Sequence, residues 1–439
     1  MTSEILLRQL RRRGIATAAE LARSCGVSQP TVSRAIREAG SQILRLGSGK
    51  NTRYALRRSI GSIPTEQPLY RMDPSGIGKE IGVLSMIHGG WVFEPQGAPA
   101  VYTADLDTHA QVYPDLPWFL YDLRPQGYLG RLNARQLSLR GGYPQDPRYW
   151  SGDDVFRYLS SYGEDLSGDL LIGAEMMKLA LQITHQPPDM IPSDHRDREY
   201  ARRIEQLRRQ ETVGSSAAGE QPKFTAVVGD ENGQRSHVIV KFVDETHSPS
   251  GQRWADLLMM EQLASEILRS IGIPAAATRV GTAGSARYLE VQRFDRTSTG
   301  RRGLVTLESL DDGILGLGPA STWNDTAKVL VKRALISEHD GLLLRARYWF
   351  GMMIGNTDMH RGNVSFLLGE HLPLELAPSY DMLPMVYRPT EQGTIVQREL
   401  PPVQPLEEDL EIVNSLKPAV SEFWRQCREH TYLGATITS

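Results

Sequence analysis

Two short segments in the last quarter of the chain narrow its fold more than any other feature. They are Ile354 to Leu368, IGNTDMHRGNVSFLL, and Ala377 to Pro384, APSYDMLP. Apolar residues from Tyr348 to Ile354 predict the end of a helix, and Val364-Ser365-Phe366-Leu367-Leu368 predicts a short buried strand. Asp358 and Asn363 therefore fall on the loop between helix and strand, and a second β-prone approach ends at Asp381. Taken singly, Asp358 reads as a turn residue, Asn363 as a cap and Asp381 as a surface acid. Taken together and in this order, they favour a site.

Phosphoryl transfer needs such a set: a carboxylate near the attacking hydroxyl, and an amide and a second carboxylate to hold magnesium against nucleotide phosphates. Catalytic loop, strand and metal aspartate follow one another in this order in protein-kinase-like enzymes. His360, between Asp358 and Asn363, fits a D-x-H-x-x-N form better than His-Arg-Asp. The rest of a nucleotide site falls upstream. His237 to Phe242, HVIVKF, predicts a strand carrying Lys241, and a helix from about Trp254 to Ile271 carries Glu261 and Glu266. Either glutamate could orient the lysine. A strand lysine is ordinarily just solvated, but this one has a helix behind it. Tyr288 to Phe294, YLEVQRF, predicts a further strand whose backbone could meet an adenine.

At 439 residues the chain is long for one core, and a prior of roughly 150 residues per domain suggests about three units. No apolar run reaches the ~18 to 20 residues that span a bilayer; Leu170 to Ile183 comes nearest, interrupted by Glu175 and Lys178. The N-terminus carries no apolar signal-peptide core. Two distant cysteines, Cys25 and Cys427, fit a reducing compartment rather than a disulfide framework or a Cys-based zinc site. The expected location is cytoplasmic, with no membrane partner.

A net charge of -3 hides an asymmetry: up to Arg58 there are 12 Lys and Arg against 3 Asp and Glu, while the remainder carries 37 against 49. A basic head on an acidic body predicts that the head meets a polyanion. Within it, Leu21, Ala22 and Val27, then Val32, Ala35 and Ile36, mark two short amphipathic helices about Gly26. Ser28 can cap the second helix, and Pro30 sits in its tolerant first turn. This is helix-turn-helix spacing. The second helix would expose Gln29, Thr31, Ser33, Arg34 and Arg37 to base edges and phosphates. Ile43 to Leu46 and Arg53 to Leu56, about a Gly-Ser-Gly-Lys turn, predict a wing that places Lys50 and Arg53 on phosphates. GSGKN is not a P-loop: the first glycine is missing, and Asn51 stands where a Ser or Thr is needed. The contrary reading of this unit is a protein-contact module without DNA.

Four ordered motifs over roughly Ile81 to Glu429 resemble the HipA family of toxin kinases. SSAAGEQPKFTAVV resembles the family's S-x-A-G-x-Q-x-K segment. VQRFDR resembles its V-E-R-F-D-R hinge, with Gln292 in place of the glutamate. TDMHRGN resembles T-D-x-H-x-x-N, and PSYDMLP resembles P-x-Y-D. The head as read above and this resemblance together give an α+β fold: a winged helix-turn-helix (1–58) and a linker (59–80), followed by the family's mixed α/β N-terminal lobe (81–300) and mainly helical C-terminal lobe (301–439). It implies an ATP- and Mg2+-dependent Ser/Thr protein kinase, the toxin of a toxin-antitoxin system.

By that resemblance Asp358 is the catalytic base, with His360 beside it, and Asn363 and Asp381 bind magnesium. Lys241 contacts phosphates, while Gln292, Arg293 and Phe294 meet adenine through their backbone. Ser216, Ala217, Ala218 and Gly219 cover the phosphates, and Ser216 falls on the family's autophosphorylated serine. Glu220 and Pro222 depart from the commoner pattern, and Pro222 removes a backbone donor. A fused DNA-binding head is unusual, because family members commonly borrow DNA binding from a separate antitoxin. The implied partners are duplex DNA at 1–58 and a protein substrate of the aminoacyl-tRNA synthetase or translation-factor class; a homodimer is left open. Competing readings are a metal-dependent nuclease, which leaves Lys241 and the hinge strand without a task, and a DNA-binding regulator with a non-catalytic body. A lipid or small-molecule kinase is a rival within the same chemistry.

Overall fold

The computed structural model describes residues 3–103, 111–186, 190–210, 221–229, 233–244 and 246–430. The head folds around apolar residues at helical spacing. Leu6 and Leu10 of α1 (Ser3–Arg13), Leu21 and Ala22 of α2 (Ala18–Cys25) and Val32, Ala35 and Ala39 of α3 (Gln29–Ala39) close one small core. Thr17 and Glu20 form a reciprocal capping box at the start of α2, and Gly26, at φ +67°, ends that helix. Ser28 occupies the cap position of α3, but its hydroxyl meets Thr31 Oγ1 at 2.9 Å instead of a backbone N–H. Strands β1 (Ile15–Thr17), β2 (Ile43–Leu46) and β3 (Arg53–Leu56) pair in the order β1-β3-β2.

The expected linker, 59–80, is a correction. It contains β4 (Glu66–Met72) and the start of β5 (Gly78–Ile87), which pair with each other in an antiparallel sheet. Prolines in this stretch suggested an unstructured spacer, yet Pro68 sits inside β4, where its carbonyl accepts from Gly173 N–H at 2.9 Å. The ladder shifts register just after it, between Leu69 and Tyr70. Strands β6 (Gly90–Pro95), β7 (Gln111–Tyr113) and β8 (Leu170–Ile172) complete the order β7-β6-β5-β4-β8. Helices α5 (Gly152–Tyr162) and α6 (Ala174–His185) pack on this sheet at β8 and β4, and α4 (Gly127–Leu139) precedes them in the chain.

The head is joined to this sheet by packing and hydrogen bonds. Leu44, Leu46 and Ala55 bury against Ile87 and Val92. The Arg58 guanidinium donates to both carboxylate oxygens of Asp153, at 2.6 and 2.7 Å, and lies 5.1 Å from the Trp91 ring centre.

After α7 (Arg196–Gln210) comes a second antiparallel sheet. It comprises β9 (Lys223–Gly229), β10 (Arg235–Val243), β11 (Thr278–Ala283) and β12 (Ala286–Gln292), in the order β11-β12-β10-β9. Tyr200 and Ile204 of α7 bury against Phe224, Val240 and Tyr288. The 22-residue α8 (Pro249–Ser270) contributes Leu258 to a cluster with Val243, Leu289 and Val291. The expected single unit 81–300 is thus built on two separate sheets. Downstream, β13 (Gly303–Thr306) pairs with β14 (Ser365–Leu368), which pairs with β15 (Glu375–Leu376). The short α9 (Leu307–Leu310) precedes α10 (Trp323–Lys332), α11 (Glu338–Ile354) and α12 (Leu410–Glu429). One large core runs from the five-stranded sheet through α8 to these helices. No described helix is long and apolar enough to cross a membrane.

Candidate active site

Lys241 sits on β10 between β9 and β12, in register with Lys223 and Leu289. Period-2 alternation sends Val240 into the α7-side core and leaves Lys241 for the α8 side. There both carboxylate oxygens of Glu261, itself only 2% exposed, lie 2.7 Å from Lys241 Nζ. The ammonium also contacts Asp381 Oδ1. Glu266 is turned to a different partner and accepts from Gln262 at 2.8 Å. Of the two glutamates, the structure selects Glu261.

Burial opposes the Lys241 charge, but Asp381 and Glu261 more than offset it and raise its pKa. Burial pushes the Asp381 carboxyl up, while Lys241 and Lys223 outweigh that push and hold it down at about 2. The Asp381 side chain remains 33% exposed, so it can take a cation beside the lysine. Among the described residues no three His, Cys, Asp or Glu side chains gather to hold a metal by themselves.

The Asp381 segment is fixed by its backbone. Ser379 exchanges hydrogen bonds with the turn after α8: its N–H donates to Pro274 O and its carbonyl accepts from Ala276, each at 2.9 Å. Asp381 itself adopts φ +53°, a left-handed conformation that aspartate tolerates better than bulky residues. Such a conformation persists where surrounding contacts over-determine it.

The Asp358 loop begins where α11 ends at Gly355, φ +79°. Buried Asn356 accepts from the Asp358 N–H at 3.0 Å and donates to the Asp381 carbonyl at 3.4 Å, joining the two carboxylate segments. Asn363 donates to the Asp358 carbonyl at 3.0 Å. Tyr380 donates to Gly362 O at 2.8 Å, and Trp323 Nε1 donates to His360 O at 3.2 Å. Arg361 forms an ion pair with buried Asp311. The His360 side chain is exposed, beside Gly362.

Sequence reasoning passed over Asn356, Arg361, Asp311, Trp323 and Tyr380. Asn356 and Arg361 lie inside the loop motif and were legible as neighbours of Asp358. Asp311 and Trp323 carry no local signal, because their partners lie tens of residues away.

The backbone of the segment that ends β12 is partly committed within the fold. The Gln292 N–H is committed to Ala277 O and the Arg293 N–H to His237 O, each at 2.8 Å, so neither donates to a base. The Arg293 side chain is buried on Asp295 at 2.9 and 3.0 Å. Phe294 is half-buried, its ring 5.6 Å from that of Tyr380. Ser216, Ala217, Ala218 and Gly219 lie outside the described residues.

On the head, Gln29, Ser33, Arg34 and Arg37 are exposed on α3, Thr31 is half-buried against Ser28, and Arg53 is half-buried on β3. Lys50 lies on the β2–β3 connection, and its side chain is outside the description.

Two family models match the chain: YjjJ-like toxin, middle domain, over residues 63–181, and HipA-like C-terminal domain, over residues 215–430. The chain is 36% identical over 391 residues to Toxin YjjJ of Escherichia coli strain K12, covering 89% of this chain and 85% of that protein. Among solved structures, it is similar to the Shewanella oneidensis HipA in complex with HipB and operator DNA. That similarity has a TM-score of 0.52 at 17% identity, over 84% of this chain and 91% of that one.

Proposed function

Because the chain belongs to the YjjJ-like toxins with a HipA-like C-terminal domain, we propose that its body is an ATP- and magnesium-dependent Ser/Thr protein kinase and its head a winged helix-turn-helix that reads duplex DNA. On this reading β9 to β12 with α8 form the N-terminal lobe and α10 to α12 the helical C-terminal lobe. What carries the kinase reading is one contact set. Lys241 is held by Glu261 and touches Asp381, and Asn356 joins the Asp381 segment to the Asp358 loop.

Lys241, kept protonated by its two carboxylates, is the cation for the nucleotide phosphates. Asp358 takes the proton of the attacking hydroxyl. Asn363 and Asp381 would hold magnesium, which supplies charge neutralisation at the transferred phosphoryl group. His360, whose carbonyl accepts from Trp323, is the second catalytic residue of this loop. A nuclease would leave the Lys241–Glu261 pair without a task. The protein substrate is of the translation-factor or aminoacyl-tRNA synthetase class, and the location is cytoplasmic. Calorimetry with the full-length protein is expected to show ATP binding that depends on magnesium. Absence of ATP binding with magnesium present would overturn the reading.

The solved HipA structure includes a separate HipB and operator DNA; here the DNA contact is made by the same chain. Arg34, exposed near the middle of α3, is the base reader, and Arg37, Lys50 and Arg53 meet phosphates. The assay uses the full-length chain, because a head cut at Arg58 would bare Leu44, Leu46 and Ala55. Arg37→Ala is expected to weaken binding to all duplexes and flatten the salt dependence by roughly one unit of slope. Arg34→Ala costs ~1 to 3 kcal/mol at one base position. Gel shifts that find no binding at low salt, or binding indifferent to salt, would contradict the DNA-reading role.

A further inference from the structure

Asp311 follows α9 in a short π-helical turn, Asp311–Leu315, and is 1% exposed. Its carboxylate accepts from the backbone N–H groups of Leu317, at 2.8 Å, and Gly318, at 2.9 Å. It also forms the ion pair with Arg361, which lies between Asp358 and Asn363. Two backbone donors and a guanidinium thus converge on one buried carboxylate. That geometry fixes the carboxylate first and the arginine through it.

The segment carrying Asp311 is itself held by the five-stranded unit. Asp122 accepts from Thr306 N–H at 2.8 Å, Thr306 Oγ1 at 2.6 Å and Ser309 Oγ at 2.7 Å. Gly313 lies against the Trp118 ring so closely that a Cβ there would come within 2.2 Å of it.

We infer that Asp311 is a positioning residue for the Asp358 loop, acting through Arg361, and that the Trp118–Asp122 turn of the middle unit is the foundation on which it stands. The chain of support runs from Asp122 and Trp118 to the Thr306–Gly313 segment, then to Asp311, Arg361 and Asp358. The middle unit therefore helps to set the catalytic geometry from outside the Asp358 loop. The catalytic consequence rests on the kinase reading; the loop-holding role does not.

The test uses the full-length protein with Asp311→Asn, Arg361→Gln and Arg361→Lys, and Asp312→Asn as a charge control on the exposed neighbour. Arg361→Gln leaves Asp311 its two backbone donors, so it cuts the link without freeing the 311–318 turn. Hydrogen exchange is followed over peptides spanning 356–364, and kcat and KM for ATP are measured alongside. Expected for Asp311→Asn and Arg361→Gln are faster exchange confined to 356–364, kcat lower by ~10- to 100-fold, and KM for ATP within ~2-fold. Arg361→Lys is expected to recover most of the activity, and Asp312→Asn to match wild type.

Unchanged exchange at 356–364 in Arg361→Gln overturns the inference whether or not the protein is a kinase. So does exchange accelerated across the whole chain in both variants; in an active kinase, kcat at the wild-type value in both variants overturns the catalytic part of the inference. If the wild type transfers no phosphate, the kinase reading fails, and the exchange data still decide whether Arg361 and Asp311 hold the loop.

Discussion

Asp358→Ala is expected to slow phosphoryl transfer by at least two orders of magnitude while Mg-ATP still binds. The backbone of Asp358 is held from both sides: its N–H donates to Asn356, and its carbonyl accepts from Asn363. Truncating the side chain leaves both contacts in place, so the loop keeps its course and the proton acceptor alone is lost. A positioned general base contributes ~10²- to 10⁴-fold to rate, and the fall in kcat is expected within that range. Nucleotide affinity should stay within ~2-fold, because the lost interaction is made only as the hydroxyl attacks. Initial-rate kinetics with parallel calorimetry check both halves. Wild-type rates in this variant would mean that the base lies elsewhere.

The second large effect separates the two carboxylates on Lys241. Glu261→Ala removes the fully buried partner and leaves Lys241 only the partly exposed Asp381, so its cost is expected to approach the ~3 to 5 kcal/mol of breaking a buried pair. Asp381→Ala should cost clearly less, because the Asp381 side chain is 33% exposed and Lys241 keeps both oxygens of Glu261. Its loss falls on magnesium-dependent nucleotide affinity instead.

The pH dependence has a definite sign. The folded pKa of Asp381, about 2, lies below the ordinary carboxylate value. Its contribution is therefore present above ~pH 4 and lost as pH falls towards the folded pKa. The stability gap between wild type and Asp381→Ala should narrow over that interval. Chemical denaturation at several pH values measures all of this, and equal costs for the two variants would contradict the assignment of Glu261 as the buried anchor.

Local spacing carried most of what could be read about the site. Asp358, Asn363 and Asp381 announce themselves because a polar loop between a helix and a strand is visible in the sequence alone. Lys241 was legible as a polar residue in a strand of otherwise apolar alternation. The choice between Glu261 and Glu266 was not, because α8 is buried on nearly all sides, with Arg253, Asp256, Glu261 and Ser265 among its buried residues. A helix without one polar face gives no periodic clue to which glutamate turns inward. Arg361 with Asp311, and Trp323 with His360, are contacts set by tertiary packing across long sequence separations.

The same holds for the fold. Helix spacing around Gly26 and the β2–β3 hairpin were legible. Helix α1 was obscured by its arginine run, Arg11 to Arg13, although Leu6 and Leu10 form its buried stripe. The docking of the head on Ile87 and Val92 was hidden because it joins apolar residues more than thirty positions apart in sequence. At the segment after β12, the sequence did not show that the N–H groups of Gln292 and Arg293 are taken up by Ala277 O and His237 O.

The most direct test of the central claim is label transfer from ATP. Purified full-length protein is incubated with labelled ATP, magnesium and a cell extract, beside Asp358→Ala, and the labelled sites are located by mass spectrometry. The expected result is label on Ser216 of the wild-type chain and on a protein of the extract, with neither in the variant. Magnesium-dependent ATP binding without label on any protein would contradict it, and would make the body a nucleotide-sensing regulator rather than a kinase.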